Sequence, residues 1–402
     1  MDMAVDRLDA AIGRANALTR QMIEAYEAWG SRIQVGEVQQ YMYNELIDFV
    51  NFRVETAQTC LLLVEGDRIA DALGLCRSLL ENCLLHMLRC RGYRYFRLLD
   101  RTDLTESEFK AYLADEQRKN QEAQARGDEK AWISVQKYAR AKRHVMYVSE
   151  GLLDPDDAGF RVPVHYFYFQ QFKPEFMRLK RDDYFEYLPI LGDEKKPLDE
   201  IRQNVTLMYR FYLSYDALLQ CLELNDLADD QAIKRIEAHY TFLGKFIHPT
   251  HNAARELHEQ HNWHGGAPII GMDRPYAKTA KFLASLYVCY LIAGLLDETA
   301  LLHESAPERY IQDPGTTELR QLTAMVPQVF PYFWFLYNKP PLYDKYQHAT
   351  NYLTEEQWQT LGGYQNVPDD DVVFNQDIYR HLQDALDGWW NARCGQYTSP
   401  LA

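Results

Sequence analysis

Residues 282–296 carry no charged side chain and are bracketed by Lys281 and Asp297. A helix built on them is apolar on every side, so other elements have to surround it. At about 1.5 Å per residue the run falls short of the roughly 30 Å of a bilayer core. It also holds Ser285 and the aromatic residues Phe282, Tyr287 and Tyr290. We therefore expect a buried core helix, from about Tyr276 to His303, inside a helical bundle.

The periodicity of the rest supplies the surrounding helices. Val5, Leu8, Ile12, Ala15, Thr19, Met22, Tyr26 and Trp29 step by three and four, which makes one amphipathic helix over 2–29, ended by Gly30 and Ser31. Further helices are expected at about 37–65, closed by Gly66-Asp67, at about 68–97, and from Thr105, which forms a capping box with Glu108. Gly127-Asp128 separates that helix from a fifth, ending at Gly151. Residues 151–197 break the rhythm with Pro155, Pro163, Pro174, Pro189 and Pro197, so they read as a connector or insertion. Helices resume at about 198–227 and 230–247, the second halted by Pro249, with a turn or two at 252–261. Beyond Pro307 helices are expected at about 317–335, 354–361 and 376–393. The one strand-like segment is a short stretch near Val164–Phe169. The expected fold is all-α: a bundle domain over 1–304, interrupted at about 151–197, with a helical C-terminal extension over 305–402 packed on it.

With 47% hydrophobic and 25% charged residues the chain has the composition of a globular protein. Its net charge of −15 repels nucleic acid and anionic membrane, so an RNA contact has to come from a local basic patch. Lys234, Arg235, Lys245 and Arg255 are the candidates for that patch. The seven cysteines include no C-x-x-C pair, which suits a reducing compartment. Cys76, Cys83 and Cys90 recur every seven residues on one helix face and read as small core hydrophobes rather than a redox or metal stripe. Residues 1–15 lack the apolar core of a signal peptide. A cytoplasmic protein without a membrane partner is the expectation.

The common catalytic signatures are missing: no G-x-x-x-x-G-K-[ST], G-x-G-x-x-G, H-E-x-x-H or G-x-S-x-G occurs, and no E-x-x-H of a di-iron bundle. Two features carry chemistry instead. His248, His251, His258, His261 and His264 are five of the 12 histidines, and imidazole is the commonest metal ligand. Steps of three drift around a helix, so a divalent metal at this cluster is a weaker alternative to a capped helix end. The second feature is Arg77-Ser78-Leu79-Leu80-Glu81, with Arg77 and Glu81 one turn apart among leucines. A partly buried pair of this kind is either a structural ion pair or an arginine held ready for an anion such as phosphate.

The segments Leu75–Glu81 and His239–Pro249, with R-S-x-x-E on one and a hydrophobic-His-Pro ending on the other, resemble a bacterial all-helical family. That family is similar to the HEPN-like proteins, the superfamily of abortive-infection and toxin ribonucleases. The resemblance covers roughly residues 40–300 and leaves the tail outside. It implies a helical core in which the two segments pack together, catalytic residues at Arg77, Glu81, His248 and His251, no cofactor, and a homodimer. The superfamily's R-x(4–6)-H spacing occurs only at Arg255 and His261, and with 12 histidines, 28 arginines and three permitted spacings chance alone gives about 2.5 matches (12 × 3 × 28/402), so this one carries no weight. Three functions follow as expectations. One is a metal-independent endoribonuclease or toxin-like effector in phage defence. Another is a non-catalytic helical protein that binds a ligand or a partner protein, suggested by 28 Tyr, 18 Phe and 7 Trp concentrated in 164–187 and 329–346. The last is a metalloenzyme using His248–His264.

Overall fold

The computed structural model describes residues 2–33, 40–128, 131–139, 142–149, 162–163, 215–248, 253–258, 275–308 and 313–387, with Ile311, Tyr397, Pro400 and Leu401. Among them the fold is predominantly α-helical. In chain order the helices are α1 (Asp2–Arg32), α2 (Gln40–Glu65), α3 (Ile69–Arg91), α4 (Glu106–Ala125), α5 (Tyr215–Leu224), α6 (Asp230–Gly244), the single turn α7 (Ala253–Glu256), α8 (Lys278–Glu304), α9 (Thr317–Val329), α10 (Leu342–Tyr352), α11 (Glu355–Leu361) and α12 (Ile378–Leu386).

Helix α8 is the centre of the bundle, and α1, α2, α3 and α9 all pack on it. It is long and apolar enough to cross a membrane, yet 89% of its most apolar window is buried by the rest of the protein. The stripe on α1 meets it: Ile12, Ala15, Thr19, Met22, Tyr26 and Trp29 are buried, and the Thr19 hydroxyl donates to Ala15 O. Cys76, Cys83 and Cys90 are buried in the same core, and burial pushes the Cys83 thiol up to about 12, which disfavours the thiolate that metal or redox chemistry needs.

Two stretches depart from the helical expectation. Helix α3 stops at Arg91 rather than 97, because Gly92 takes an extended conformation (φ −63°, ψ 130°) and strand β1 (Tyr95–Asp100) follows. The expected fifth helix is instead a pair of strands, β2 (Ser134–Lys137) and β3 (His144–Ser149). With β4 (Val162–Pro163) they form one small sheet of order β2-β3-β1-β4, all pairings antiparallel, with Phe96 opposite Val148 and Val135 opposite Tyr147. The alternation in β3 is masked because both its faces are covered. Val145 and Tyr147 pack with Phe109 of α4, while Met146 and Val148 join the main core. The capping box at Thr105 and Glu108 does start α4. The strand-like segment at 164–169, most of the helix at 198–227 and the connector at 151–197 lie largely outside the described residues.

The C-terminal segment shares the bundle's core: Leu319, Val326, Phe330, Phe335, Tyr379 and Leu382 belong to the same buried cluster as α1 and α8. Helix α9 ends at Val329, short of 335, because the aromatic run that follows turns inward. Phe330, Phe333 and Phe335 are buried around Tyr287 and Tyr290, and Trp334 is buried in a smaller cluster with Ala349, Val367 and Val372, so they serve as core rather than as a contact surface. Helix α10 was not apparent in the pattern.

Three buried histidines tie the layers together. His239 of α6 has Nε2 3.0 Å from the carbonyl of Trp334 and Nδ1 2.8 Å from the Tyr287 hydroxyl. A carbonyl only accepts, so we assign the proton to Nε2, with Nδ1 accepting from Tyr287. His303 likewise puts Nδ1 2.8 Å from Thr299 O and Nε2 3.0 Å from the Tyr43 hydroxyl, and His86 Nε2 lies 2.9 Å from Thr299 Oγ1. Burial lowers the imidazole pKa to about 3 at His86 and His239 and to about 4 at His303.

Candidate functional site at the α3–α6 crossing

Arg77 sits in the middle of α3, on the side that packs against α6. Helix α6 begins at Asp229, whose carboxylate accepts from the Ala232 N–H at 2.7 Å and so caps the helix. The helix ends at Gly244, and tight turns carry the chain on to His248, whose N–H reaches Gly244 O at 3.2 Å. Two glycines lie at this corner, each with ordinary van der Waals room for a side chain. A Cβ at Gly244 would lie 3.9 Å from Arg77 Nη1, and one at Gly74 would lie 3.7 Å from Phe246 O.

Sequence positions far apart thereby become neighbours. Arg77 Nη1 lies 3.4 Å from His248 Nε2. Arg77 Nη2 donates to the Tyr240 hydroxyl and stands 3.7 Å from Glu81 Oε1. The guanidinium also lies over the Tyr240 ring, 4.3 Å from its centroid, and that ring stacks on Tyr215 of α5 at 3.5 Å and 6°. The expectation of a buried ion pair holds for only one partner. The Arg77 side chain is 16% exposed, whereas that of Glu81 is 40% exposed. An exposed pair one turn apart contributes about 0.3–0.5 kcal/mol. Arg77 is held chiefly by Tyr240, a residue that the sequence reading quoted but did not single out.

A guanidinium has donors and no acceptor, so in this contact Nε2 of His248 is the acceptor. The imidazole is exposed. An oxyanion entering here meets Arg77 Nη1 directly and has a histidine beside it that can exchange a proton. Burial raises the pKa of Tyr240, partly countered by its bond to Arg77. Tyr215 is raised further by burial and then by the carboxylates of Glu237, Glu81 and Asp216.

Beside the two tyrosines is a hollow of about 440 Å³, edged by Lys234, Glu237, Thr241 and Lys245. Of the expected basic patch, Lys234 and Lys245 are exposed here. Arg235 turns away, its guanidinium 5.4 Å from the Trp334 ring centroid, and burial lowers its pKa. The side chain of Arg255 and all of His251, His261 and His264 lie outside the described residues. His258 donates from Nδ1 to Pro275 O at 3.2 Å and stacks on Tyr276, away from any other histidine described. Among the described residues no group of three His, Cys, Asp or Glu side chains is placed to hold a metal ion.

Comparison with known proteins yields no match: neither a protein family, nor a curated protein, nor a solved structure resembles the chain significantly.

Proposed function

We propose that the chain is a HEPN-like, metal-independent endoribonuclease whose site is Arg77, Glu81 and His248, with His251 as a further member. The observation that supports this reading is the 3.4 Å approach of Arg77 Nη1 to His248 Nε2 across 171 positions of sequence. In RNA cleavage the 2′-hydroxyl attacks the adjacent phosphorus and the 5′-oxygen leaves. Arg77 neutralises the phosphate oxygens in that step. His248 takes the 2′-hydroxyl proton on Nε2 once the phosphate has displaced the imidazole from Arg77. Glu81 and Tyr240 hold the guanidinium in place. Lys234 and Lys245 supply local positive charge beside it. The reading includes a homodimer in the cytoplasm and a toxin-like role in phage defence, as the resemblance to HEPN-like proteins implies.

A second reading has support of its own. Glu81, Glu237 and Asp216 surround the tyrosine stack, and their charge opposes a polyanion. On that reading Arg77 binds a small anionic ligand, or the chain binds a partner protein, and nothing is cleaved.

The test is cleavage of a defined RNA pool in EDTA by wild type, His248→Ala and Arg77→Lys. His248 is exposed, so its substitution leaves the fold intact. The nuclease reading expects cleavage by wild type and a loss of about 100-fold or more in each variant. Cleavage that is equal in all three, or that requires added metal, refutes it. No cleavage, with RNA or phosphate still bound through Arg77, selects the binding reading.

A further inference from the structure

A second cavity, of about 700 Å³, lies between the C-terminal half of α3, the start of α6, α8 and α9. Neither Arg77 nor His248 lines it. Its lining on α3 runs from Cys83 to Arg91, six to fourteen positions beyond Arg77, about 9 to 21 Å along the helix axis at 1.5 Å per residue. The volume is that of a site for a small organic molecule, and the walls are mostly apolar, as such sites are. Leu84, Met87, Ala232, Ile236, Ala324 and Pro327 supply them. One end is closed by Tyr337, which packs against Gly294 and donates to Tyr290 O.

The wall also carries charged residues. Arg320 bridges two carboxylates, donating to Asp297 Oδ1 and standing 3.6 Å from Glu304 Oε1. Thr323 donates to the same Asp297 oxygen at 2.9 Å and Thr316 to the same Glu304 oxygen at 2.6 Å. These bonds leave Asp297 Oδ2 and Glu304 Oε2 to accept from a ligand. Arg91 pairs with Glu298 at 2.8 Å. Asp297 and Glu304 therefore share one guanidinium, and among the described residues this edge carries more negative than positive charge beside an apolar space. Such a wall attracts a cation attached to an apolar body. It repels an acid, which would add a further negative charge in a medium less polar than water.

We propose that this cavity binds an amphipathic amine, its apolar body between α3, α6 and α9 and its ammonium on the Asp297–Glu304 edge. The site is separate from the Arg77 cluster and does not depend on the ribonuclease reading.

The test is calorimetric titration of the full chain near neutral pH with n-octylamine, 1-octanol and octanoate, which share a chain length and differ in the head group. Two variants accompany wild type: Asp297→Asn, which removes one negative charge and keeps an acceptor for Arg320 and Thr323, and Ala324→Phe, which fills the cavity from an exposed wall position. Circular dichroism and thermal melting verify that each is folded. Octylamine is expected to bind at least about tenfold more tightly than octanol or octanoate, the equivalent of one effective ion pair. Asp297→Asn should remove that advantage and leave octanol unaffected, and Ala324→Phe should abolish binding of both. Equal affinity for octylamine and octanol, or tighter binding of octanoate, overturns the assignment of a cation. Binding of none of the three, or wild-type binding by Ala324→Phe, overturns the cavity as the site.

Discussion

Acid should unfold this protein through three of its buried histidines. His86, His239 and His303 are held neutral in the core, with pKa values lowered by burial to about 3, 3 and 4. An imidazole in the unfolded chain titrates near 6.5. The unfolded state therefore binds more protons than the folded state, and stability rises with pH across this window. The contribution is intact above the unfolded value and is lost as pH falls from about 6.5 towards the folded values. At 1.36 kcal/mol per unit of separation, each histidine contributes about 2 kcal/mol less at pH 5.0 than at pH 7.5, and the three together about 6 kcal/mol. A domain is typically stable by only 5–15 kcal/mol, so the loss is a large part of the whole. The assay is urea unfolding at about pH 7.5, 6.0 and 5.0, with the slope of ΔG against pH read as a proton count. About three protons should be taken up on unfolding at pH 5. In His239→Gln the amide can still donate to Trp334 O and accept from Tyr287, so the count should fall to about two. A ΔG that stays flat between pH 7 and 5, or an unchanged slope in His239→Gln, would refute the argument.

Two further substitutions test the packing that positions the sites. Gly294→Ala places a Cβ 3.1 Å from the Tyr337 ring and 3.2 Å from Cys83 Sγ, which should destabilise by about 1–3 kcal/mol in urea unfolding. Asp229→Ala removes the side-chain cap of α6, which should cost about 1 kcal/mol, again read as a shift in the urea midpoint.

Much of the fold was legible because the helices that decide it have uninterrupted apolar stripes. The run 282–296 could only be an interior helix, and the stripe from Ile12 to Trp29 is the face that meets the core. The sheet was hidden for a physical reason. Strand β3 is covered by α4 on one side and by the main core on the other, so Val145, Met146, Tyr147 and Val148 read as a continuous apolar run. At the candidate site the sequence paired Arg77 with Glu81 through their spacing, and the resemblance placed the segment of His248 against them; the α3–α6 crossing brings the three together. Tyr240 and Tyr215 went unnoticed. A tyrosine on a partly buried helix face looks the same in sequence whether it fills space or holds an arginine.

Stability alone gives no reason for an arginine at position 77. Its side chain is 84% buried, and its Nε is buried with no hydrogen-bond partner. Desolvating a charge to this degree costs several kcal/mol. Against that stand about 0.3–0.5 kcal/mol from Glu81, about 1 kcal/mol from the Tyr240 hydroxyl and about 0.5–2 kcal/mol from its ring. The sum at best offsets the desolvation, so an apolar side chain of similar length would serve the fold equally well. Glu81 remains 40% exposed and would stay hydrated after losing its partner, which removes the usual penalty for breaking an ion pair. Arg77→Met should therefore shift unfolding free energy by no more than about 1 kcal/mol while eliminating RNA cleavage or anion binding. A loss of 3 kcal/mol or more, with the remaining folded protein still active, would make Arg77 a structural residue and move the search for function elsewhere.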